Sequence, residues 1–303
     1  MIDFLLYFFI FPGFLFLAFS GILFSWVDRK ITARLQWRVG PPFLQPFYDV
    51  AKLFIKDTSV PEGANVWVFM LAPVLALLGV LLTSIVLIIT WINPYSGFIG
   101  DLIVLFYLLV IPQIAAVIGG SASNNPLASV GASREIKSIL GYELPLILSI
   151  IVVIIKSGGV SIGKIVLAQQ QGGSYAYTFS GFLALIVAIV CMQAKTGMPP
   201  FDAAEAETEL ASGNLIEYSG PLLAVWKMAK MMFFVIAPVF ITVIFWNGGN
   251  KLALAAKVAV LLVISILIKN VNPRVRIDQS IRFFWGIVSF IAAVAVIFAA
   301  VGL

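Results

Sequence analysis

Long apolar runs alternate with short polar segments along the whole chain. The runs long enough to cross a bilayer cover about 3–27, 68–92, 98–118, 142–157, 179–194, 219–246, 252–269 and 282–302. A spanning helix needs about 20 mostly apolar residues, and these runs are continuous, whereas the strands of a membrane barrel alternate in hydrophobicity. The pattern predicts an all-α integral membrane protein with about eight transmembrane helices in a single multi-pass domain, residues 1–303.

The composition excludes a water-soluble fold. Of the 303 residues, 61% are apolar and 11% charged, with a mean hydropathy of +1.08, whereas soluble domains carry about 25% charged residues. No soluble interior of this size could hold that much apolar surface. The first run is too long for the apolar part of a secretory signal and has no basic segment before it, so we expect a retained span.

Lysine and arginine concentrate in alternate connections between the runs. The first, third, fifth and seventh connections hold thirteen of the nineteen basic residues, and the opposite side holds only Lys156, Lys164 and Lys251. This bias predicts that the odd-numbered connections are cytoplasmic and that both termini lie outside. The net charge of +5 therefore reports orientation in the lipid bilayer, and we expect no nucleic-acid partner.

Two scarce residue types limit the redox chemistry. The chain contains no histidine and one cysteine, Cys191. Imidazole-ligated haem, copper or zinc is therefore excluded, as are an intrachain disulfide and a four-thiolate iron–sulfur cluster. We expect this chain to bind no cofactor of its own, so that any electrons are carried by partner subunits.

The first connection is long and contains an amphipathic segment. It covers about 28–66, and within it Phe47, Val50, Ala51 and Phe54 recur at helical spacing while charged residues point elsewhere. This spacing predicts a helix at the membrane interface. Connectors of this length usually bind a partner or carry function, although a helix that only lies on lipid has the same pattern.

The fifth connection holds the densest cluster of acids. Pro199–Leu210 has the pattern of a short helix in which Asp202 is the N-cap, Glu205 completes a capping box and Gly213 is the stop signal. Five of the fourteen acids lie within sixteen residues here, and repulsion between carboxylates raises carboxyl pKa values, as a proton carrier requires. A solvated acidic helix is the alternative. The other acids of the cluster are Glu207, Glu209 and Glu217.

Three further ionisable residues border or enter the apolar runs. Glu143 begins the fourth run, and Lys227 and Lys230 lie within the sixth, three residues apart and so on one helix face. Because an ammonium inside a membrane costs several kcal/mol unless it is solvated or paired, the two lysines predict a polar interior or carboxylate partners. Glu143 and the acids of the fifth connection are the candidates. Snorkelling to a headgroup is the alternative for each of the three.

The polar connections together resemble the H-subunit (NuoH-type) family of respiratory complex I. The matching segments are Arg29–Gln36, Arg38–Pro41, Leu44–Leu53, Tyr142–Pro145, Pro200–Glu207, Glu209–Leu210 and Glu217–Gly220. Their order, their spacing and the eight-span plan all fit this family. Compared with quinone-reducing members, Gly40–Pro46 is contracted, and lysines stand in the sixth span where those members tend to have an acid. These departures and Gly131–Glu135 are more similar to the membrane anchors of energy-converting hydrogenases, formate hydrogenlyase and archaeal sulfur-reducing complexes.

The resemblance implies an anchor and coupling subunit in the cell membrane. Its partners would be peripheral catalytic subunits on the cytoplasmic side, which contain iron–sulfur clusters and, in hydrogenases, a nickel–iron site, together with other membrane subunits, including antiporter-like ones. The residues expected to dock the peripheral arm are Arg29, Arg34, Arg38, Asp49, Lys52, Arg134 and Glu135. The residues expected to form an ion pathway for protons or sodium are Glu143, Asp202, Glu205, Glu207, Glu209, Glu217, Lys227 and Lys230.

Three alternatives remain at this level. The chain could be the quinone-site subunit of an NADH:quinone oxidoreductase, in the same family. It could be a stand-alone secondary transporter or channel, although it has no evident internal repeat. It could also be an anchor that takes no part in ion transfer.

Overall fold

The computed structural model describes residues 2–96, 100–248 and 250–302, except for the side chains of 2–5, 207 and 208. Its helices are α1 (Ile2–Phe9), α2 (Phe14–Leu35), α3 (Gln45–Ile55), α4 (Val66–Ile92), α5 (Asp101–Leu108), α6 (Ile111–Ala122), α7 (Pro126–Ser157), α8 (Ile162–Gly172), α9 (Phe179–Lys195), α10 (Glu207–Leu210), α11 (Gly220–Phe245), α12 (Lys251–Val271), α13 (Ile277–Phe283) and α14 (Ser289–Val301).

The predicted spans are confirmed as helices. Within the residues that the structure describes, seven helical stretches are long and apolar enough to cross a membrane, and Phe179–Lys195 is an eighth, shorter apolar helix of 17 residues. The described residues form an all-helical bundle, as the continuous apolar runs predicted. Residues 98–99, the predicted start of the third span, lie outside the described residues.

Local capping explains where several of these helices begin. The side-chain oxygens of Asn65 and Asn125 accept hydrogen bonds from the backbone N–H groups of Val68 (3.4 Å) and Leu127 (2.8 Å). Each bond satisfies a backbone donor that the first turn of a helix leaves free. Asn125 is followed by Pro126, which suits the first helical position because that position needs no N–H donor. Local caps therefore mark the first turns of α4 and α7.

The predicted start of the fourth span, residue 142, is too late. Helix α7 begins at Pro126 and carries the predicted third connection within its first turns. Gly131, Ala132 and Ser138 of this extension are buried, and Gly131 lies so close to Asn214 that a Cβ atom would be 2.6 Å from its Oδ1. Packing against the fifth connection therefore extends the helix through a segment whose charges indicated a loop.

The third span is divided into two helices. Helix α5 ends at Leu108, and α6 begins at Ile111 with Pro112 in its first turn. Proline has no N–H group, and its ring clashes with the carbonyl of the residue four positions earlier, which is Leu108. The regular α-helical hydrogen bonding is therefore interrupted at Leu109 and Val110, which keep right-handed backbone angles, inside the apolar run.

The predicted helix over Pro199–Leu210 is mostly wrong. Only Glu207–Leu210 is helical, and Asp202 does not cap it because its carboxylate is held by Arg274, with 2.9 Å between Oδ2 and Nε. The chain after Leu210 takes left-handed backbone conformations through Gly213. Glycine is required at 213 because a Cβ atom there would lie 1.9 Å from the carbonyl oxygen of Ala204.

Helix α11 is the central helix of the bundle. Most of its residues are buried, and it packs against α2, α3, α4, α9 and α12. A second group, formed by α7, α9 and α14, packs together on one side. By contrast, few residues of α12 are buried. Helix α11 therefore forms the middle of the bundle, and α12 lies at its edge.

The amphipathic helix of the first connection is present as α3. Its buried residues are Pro46, Val50 and Leu53, which recur at intervals of four and three residues and face α2 and α11. Phe47 and Phe54 from the predicted apolar face are half exposed. Helix α3 therefore packs on the protein through one apolar face and turns a second one outward.

Candidate functional site

The four odd-numbered connections meet on one face of the bundle. Arg274 pairs with Asp202 across the seventh and fifth connections, at 2.9 Å, and Lys269 pairs with Asp28 across the ends of α12 and α2, at 2.7 Å. The third and fifth connections are joined through Arg134, whose guanidinium lies 2.5 Å from the carboxylate of Glu209. These contacts agree with the topology inferred from the lysine and arginine count.

A buried ion pair lies behind this face. The ammonium of Lys195, at the end of α9, binds the carboxylate of Glu143 in the middle of α7. The side chain of Lys195 is 0% exposed and that of Glu143 is 15% exposed. The Lys195 Nζ atom also lies 5.4 Å from the ring centroids of Phe106 and Tyr142. Because an uncompensated buried charge is very costly, Glu143 and the two ring faces together make the ammonium tolerable here.

A second ion pair joins α11 to the acidic connection. Lys230 binds the carboxylate of Glu205, so one of the predicted carboxylate partners is present. An open cavity of about 650 Å³ connects this pair with Lys195, and Glu135 also lines it. Glu135 forms no ion pair within 4 Å with any described residue and lies within electrostatic range of both lysines.

The cavity thus brings together charged groups from four parts of the chain. Its charged members are Glu135, Lys195, Asp202, Glu205 and Lys230, and the remainder of its lining is largely apolar. Polar groups that converge in a mostly apolar cavity are typical of a functional site. Carboxylates and ammonium groups follow one another from Glu143 to Glu205, an arrangement in which a change of charge at one group alters the energy of the next.

Three of the other predicted acids bind elsewhere on the same face. Asp202 pairs with Arg274, as described above, and Glu209 pairs with Arg134. The carboxylate of Glu217 accepts a hydrogen bond from Asn125 Nδ2 at 2.5 Å and so ties the fifth connection to the start of α7. The side chain of Glu207 lies outside the described part of the structure.

Lys227 does not join the buried cluster. Its side chain is exposed and forms no ion pair with the residues that the structure describes. It lines a wider cleft between α2, α11 and the end of α12, which shares Asp202, Glu205 and Lys230 with the cavity. The two lysines of α11 therefore have different surroundings, although their spacing suggested a common one.

The expected docking residues lie mostly at the surface. Arg34, Arg38 and Lys52 are exposed, and Arg134 is half-buried beside Glu209. Glu135 differs from them because α7 is helical here. It follows the same face as the buried residues Ser138 and Tyr142, so its carboxylate turns inward to the cavity instead of outward to a partner.

Asp49 holds the first connection against α2. Its carboxylate lies 2.6 Å from the guanidinium of Arg29 and accepts a second hydrogen bond from Gln45 at 3.0 Å. Burial of Asp49 tends to raise the pKa of its carboxyl, but the hydrogen bonds from Arg29 and Gln45 and the charges of Arg29 and Lys52 outweigh this and lower the pKa below its ordinary value. The ionised form is therefore the one that stabilises this corner.

Three partners in this region have no clear signal in the sequence. Lys195 was counted only as a basic residue of a connection, yet it is the most deeply buried cation of the site. Gln113 donates a 2.7 Å hydrogen bond from Nε2 to the carbonyl of Lys195, and Asp28 binds Lys269. A lysine directly after an apolar run is the one hint that was available, because such a residue lies at the edge of the membrane.

The sequence matches the family model described as NADH dehydrogenase over residues 8–300. The chain belongs to this family. Within the NADH dehydrogenase family, it is 31% identical over 291 residues to the H subunit of NADH-quinone oxidoreductase from Bacillus mycoides (strain KBAB4), covering 90% of this chain and 85% of that one. It is 32% identical over 293 residues to the corresponding protein of Anoxybacillus flavithermus, covering 90% and 86%.

A solved structure is also similar to this member of the NADH dehydrogenase family. It is a chain of the membrane-bound sulfane sulfur reductase, an archaeal respiratory membrane complex, with a TM-score of 0.86 and 32% sequence identity. The match covers 94% of this chain and 96% of the other. The resemblance to the complex I H-subunit family is therefore confirmed, and the relatives are subunits of multi-subunit respiratory membrane complexes.

Proposed function

We propose that this chain is the membrane-anchor and coupling subunit of a complex I-like respiratory complex in the cell membrane. In this proposal the complex is a membrane-bound hydrogenase or a related ferredoxin-dependent sulfur reductase. The chain docks a peripheral arm that contains iron–sulfur clusters and, in a hydrogenase, a nickel–iron site. It links electron transfer in that arm to proton or sodium translocation by other membrane subunits, including antiporter-like ones.

The observation that carries the proposal is the charged cluster under the convergent face. A purely structural anchor needs no buried Lys195–Glu143 pair, and replacing a buried ion pair by apolar residues is often neutral or stabilising. The cluster extends from the interior to the connections on which an arm would dock, and Glu205 belongs to both. Movement of a docked arm would therefore act directly on the Glu205–Lys230 pair.

The coupling step follows from electrostatics. Two unit charges 4 Å apart interact by about 4 kcal/mol at an effective dielectric constant of 20. Separating Glu205 from Lys230, or protonating Glu205, leaves an ammonium beside the cavity that favours Glu135 as its next counter-ion. The carboxylates of Glu135 and Glu143 can then take up or release a proton in turn. Lys195 links them, because it is bound to Glu143 and lies within electrostatic range of Glu135. Asp202, Glu209 and Glu217 supply further carboxylates at the docking face, and we assign Glu207 the same part.

Two features favour the hydrogenase or sulfur-reductase branch of the family. The solved sulfane sulfur reductase chain and this chain cover each other almost fully, and the sixth span carries Lys227 and Lys230. The bacterial relatives are named as quinone-linked subunits at similar identity, so a quinone-reducing complex is the second candidate. Inhibition of electron transfer by quinone-site ligands in the purified complex would favour it.

The test measures electron transfer and ion transport together in the purified complex reconstituted into vesicles. We expect Glu143→Gln to reduce the ion gradient formed per electron transferred by at least tenfold while the complex still assembles. Glu62→Gln is the matched control, because Glu62 is an exposed acid of the first connection outside the site. The double variant Glu143→Gln and Lys195→Met removes the pair without leaving a lone buried charge, so it tests transport without a folding defect.

Two outcomes would reject the proposal. An unchanged ion gradient per electron in the double variant would leave the chain with scaffolding alone. Solute or ion movement by the purified chain in liposomes, without any partner subunit, would instead favour a stand-alone transporter or channel.

A further inference from the structure

The cleft that contains Lys227 adjoins the proposed coupling cluster and shares Asp202, Glu205 and Lys230 with it. It is an open cleft of about 1060 Å³ between α2, α11 and the end of α12, on the face where the odd-numbered connections meet. Eight charged side chains line it, three acidic and five basic. It therefore has an excess of positive charge at the depth of the membrane surface.

The ion pairs within the cleft leave its excess positive charge on one residue. Each acid of the cleft is bound by one of its bases, in the pairs Asp28–Lys269, Asp202–Arg274 and Glu205–Lys230. Arg29 is paired with Asp49 outside the cleft. Among the described residues, Lys227 is the base of this cleft that has no carboxylate within 4 Å. Its ammonium is therefore an unpaired positive charge that suits a ligand with one negative charge.

An apolar groove lies next to the cleft on the same helices. It has a volume of about 960 Å³ and is lined almost entirely by apolar side chains of α2, α4, α11 and α12. The two cavities have neighbouring lining residues on α2 and α11, since Ser25 and Phe234 line the cleft while Phe24 and Val235 line the groove. The groove's lining on α11 runs from Val235 to Val243, which lie about 12 and 24 Å farther along the helix than Lys227 at 1.5 Å per residue, within a hydrocarbon core about 30 Å thick.

We propose that the cleft and the groove together bind one anionic phospholipid, with the phosphate at Lys227 and an acyl chain in the apolar groove. The excess positive charge explains the anionic headgroup, and the adjoining groove inside the membrane thickness explains why the ligand is a lipid. Such a lipid would fill the space between α12 and the rest of the bundle, where α12 has few buried residues. The lipid would thus hold α12 in place and, through Lys269, the end of α2.

The test uses the purified complex that contains the chain, stripped of lipid and then exposed to phosphatidylglycerol or phosphatidylcholine. Native mass spectrometry counts the lipids that remain bound to the chain. We expect one phosphatidylglycerol to be retained in preference to phosphatidylcholine. Lys227→Gln should weaken its binding about fivefold, the effect typical of one basic residue at a membrane surface. Lys137→Gln, an exposed lysine on the same face outside the cleft, should have no effect.

A second pair of variants tests the groove without changing any charge. Ala259 lines the groove and Ala256 does not, although both are exposed on α12. Ala259→Phe should reduce retention of phosphatidylglycerol, and Ala256→Phe should leave it unchanged. Equal retention of the two lipids by the unmodified complex, or equal retention by Lys227→Gln and the parent, would overturn the proposal. The proposal would also be overturned if the complex retains no lipid and Ala259→Phe causes a membrane subunit to dissociate. A helix of that subunit would then occupy the groove.

Discussion

The buried pair between Lys195 and Glu143 allows a quantitative test of how charge is held in this bundle. Breaking a buried ion pair by removing one partner typically costs 3–5 kcal/mol, because the other charge stays buried. The Lys195 side chain is 0% exposed and that of Glu143 is 15% exposed. Water can therefore reach a stranded Glu143 more easily than a stranded Lys195. We expect Glu143→Gln to be more destabilising than Lys195→Met.

The expected size can be converted into a melting temperature. For chains of several hundred residues, about 1 kcal/mol corresponds to about 2 °C, so Glu143→Gln should lower Tm by about 6–10 °C. The double variant should regain most of that loss, since apolar or neutral replacements of a whole buried pair are often close to neutral. The measurement is thermal unfolding of the purified chain in detergent, followed by intrinsic fluorescence, for both single variants and the double variant.

The double-variant cycle tests whether Glu143 and Lys195 are energetically coupled. If the two losses simply add in Glu143→Gln with Lys195→Met, the residues are not energetically coupled, and the argument from burial fails. Glu62→Gln, on an exposed acid, should change Tm by less than about 1 °C, because surface substitutions usually stay within about 0.5 kcal/mol. A comparable drop in that control would show that the assay reports on charge in general and not on this pair.

Three more predictions concern other parts of the structure. The lowered pKa of Asp49 means that its ion pair with Arg29 stabilises the chain above the unfolded carboxyl pKa, near 3.9, and that this stabilisation is lost as the pH falls through the folded pKa. The Tm difference between the parent and Asp49→Asn should therefore keep its full size from pH 7 down to the unfolded carboxyl pKa and decrease only as the pH falls further, through the lowered folded pKa. A difference that stays constant on acidification below the unfolded pKa would contradict it. Gly119→Ala should cost about 1–3 kcal/mol through overpacking, because its Cβ would lie 2.3 Å from Tyr218 Oη and 2.9 Å from Ala72 Cβ. Gly286→Ala, which meets no atom within 4 Å, is the control in the same unfolding assay, and equal Tm values would disprove the packing argument. In a Cys191→Ser background, Lys137→Cys should react with a membrane-impermeant maleimide from the cytoplasmic side and Tyr177→Cys from the outside, and the reverse pattern would invert the proposed topology.

The sequence predicted the number of spans well and their interruptions poorly. Eight apolar runs are sufficient to place the helices, since a membrane leaves the backbone little alternative to a helix. The extension of α7 back to Pro126 depends on contacts of Gly131 with Asn214, which lies far away in the chain. Hydrophobic periodicity reports which face of a helix is buried, but it cannot report where a charged helix continues because another loop packs on it.

The candidate site was also predicted only in part from the sequence. The cluster of acids after Pro199 and the lysine at 230 were identified from composition and helical spacing alone. Which acid binds which base depends on tertiary geometry, so Lys195 was overlooked and Lys227 was grouped with Lys230. The assignment of Asp202 as a helix cap failed for a related reason. A local capping rule predicts one use of a carboxylate, and the long-range ion pair with Arg274 is the use that the fold stabilises.

The break between α5 and α6 gives the third span two independent anchors. At the outer end, the carboxylate of Asp101 accepts a hydrogen bond of 2.6 Å from the backbone N–H of Ile162 and holds α5 to α8. At the inner end, Gln113 is bonded to Lys195, and the Ala122 carbonyl accepts a hydrogen bond from Asn65. The two halves also meet at Lys195, because the Phe106 ring of α5 lies 5.4 Å from its Nζ atom while Gln113 of α6 binds its carbonyl. The interrupted span therefore holds the buried lysine from two sides and keeps its ammonium beside Glu143.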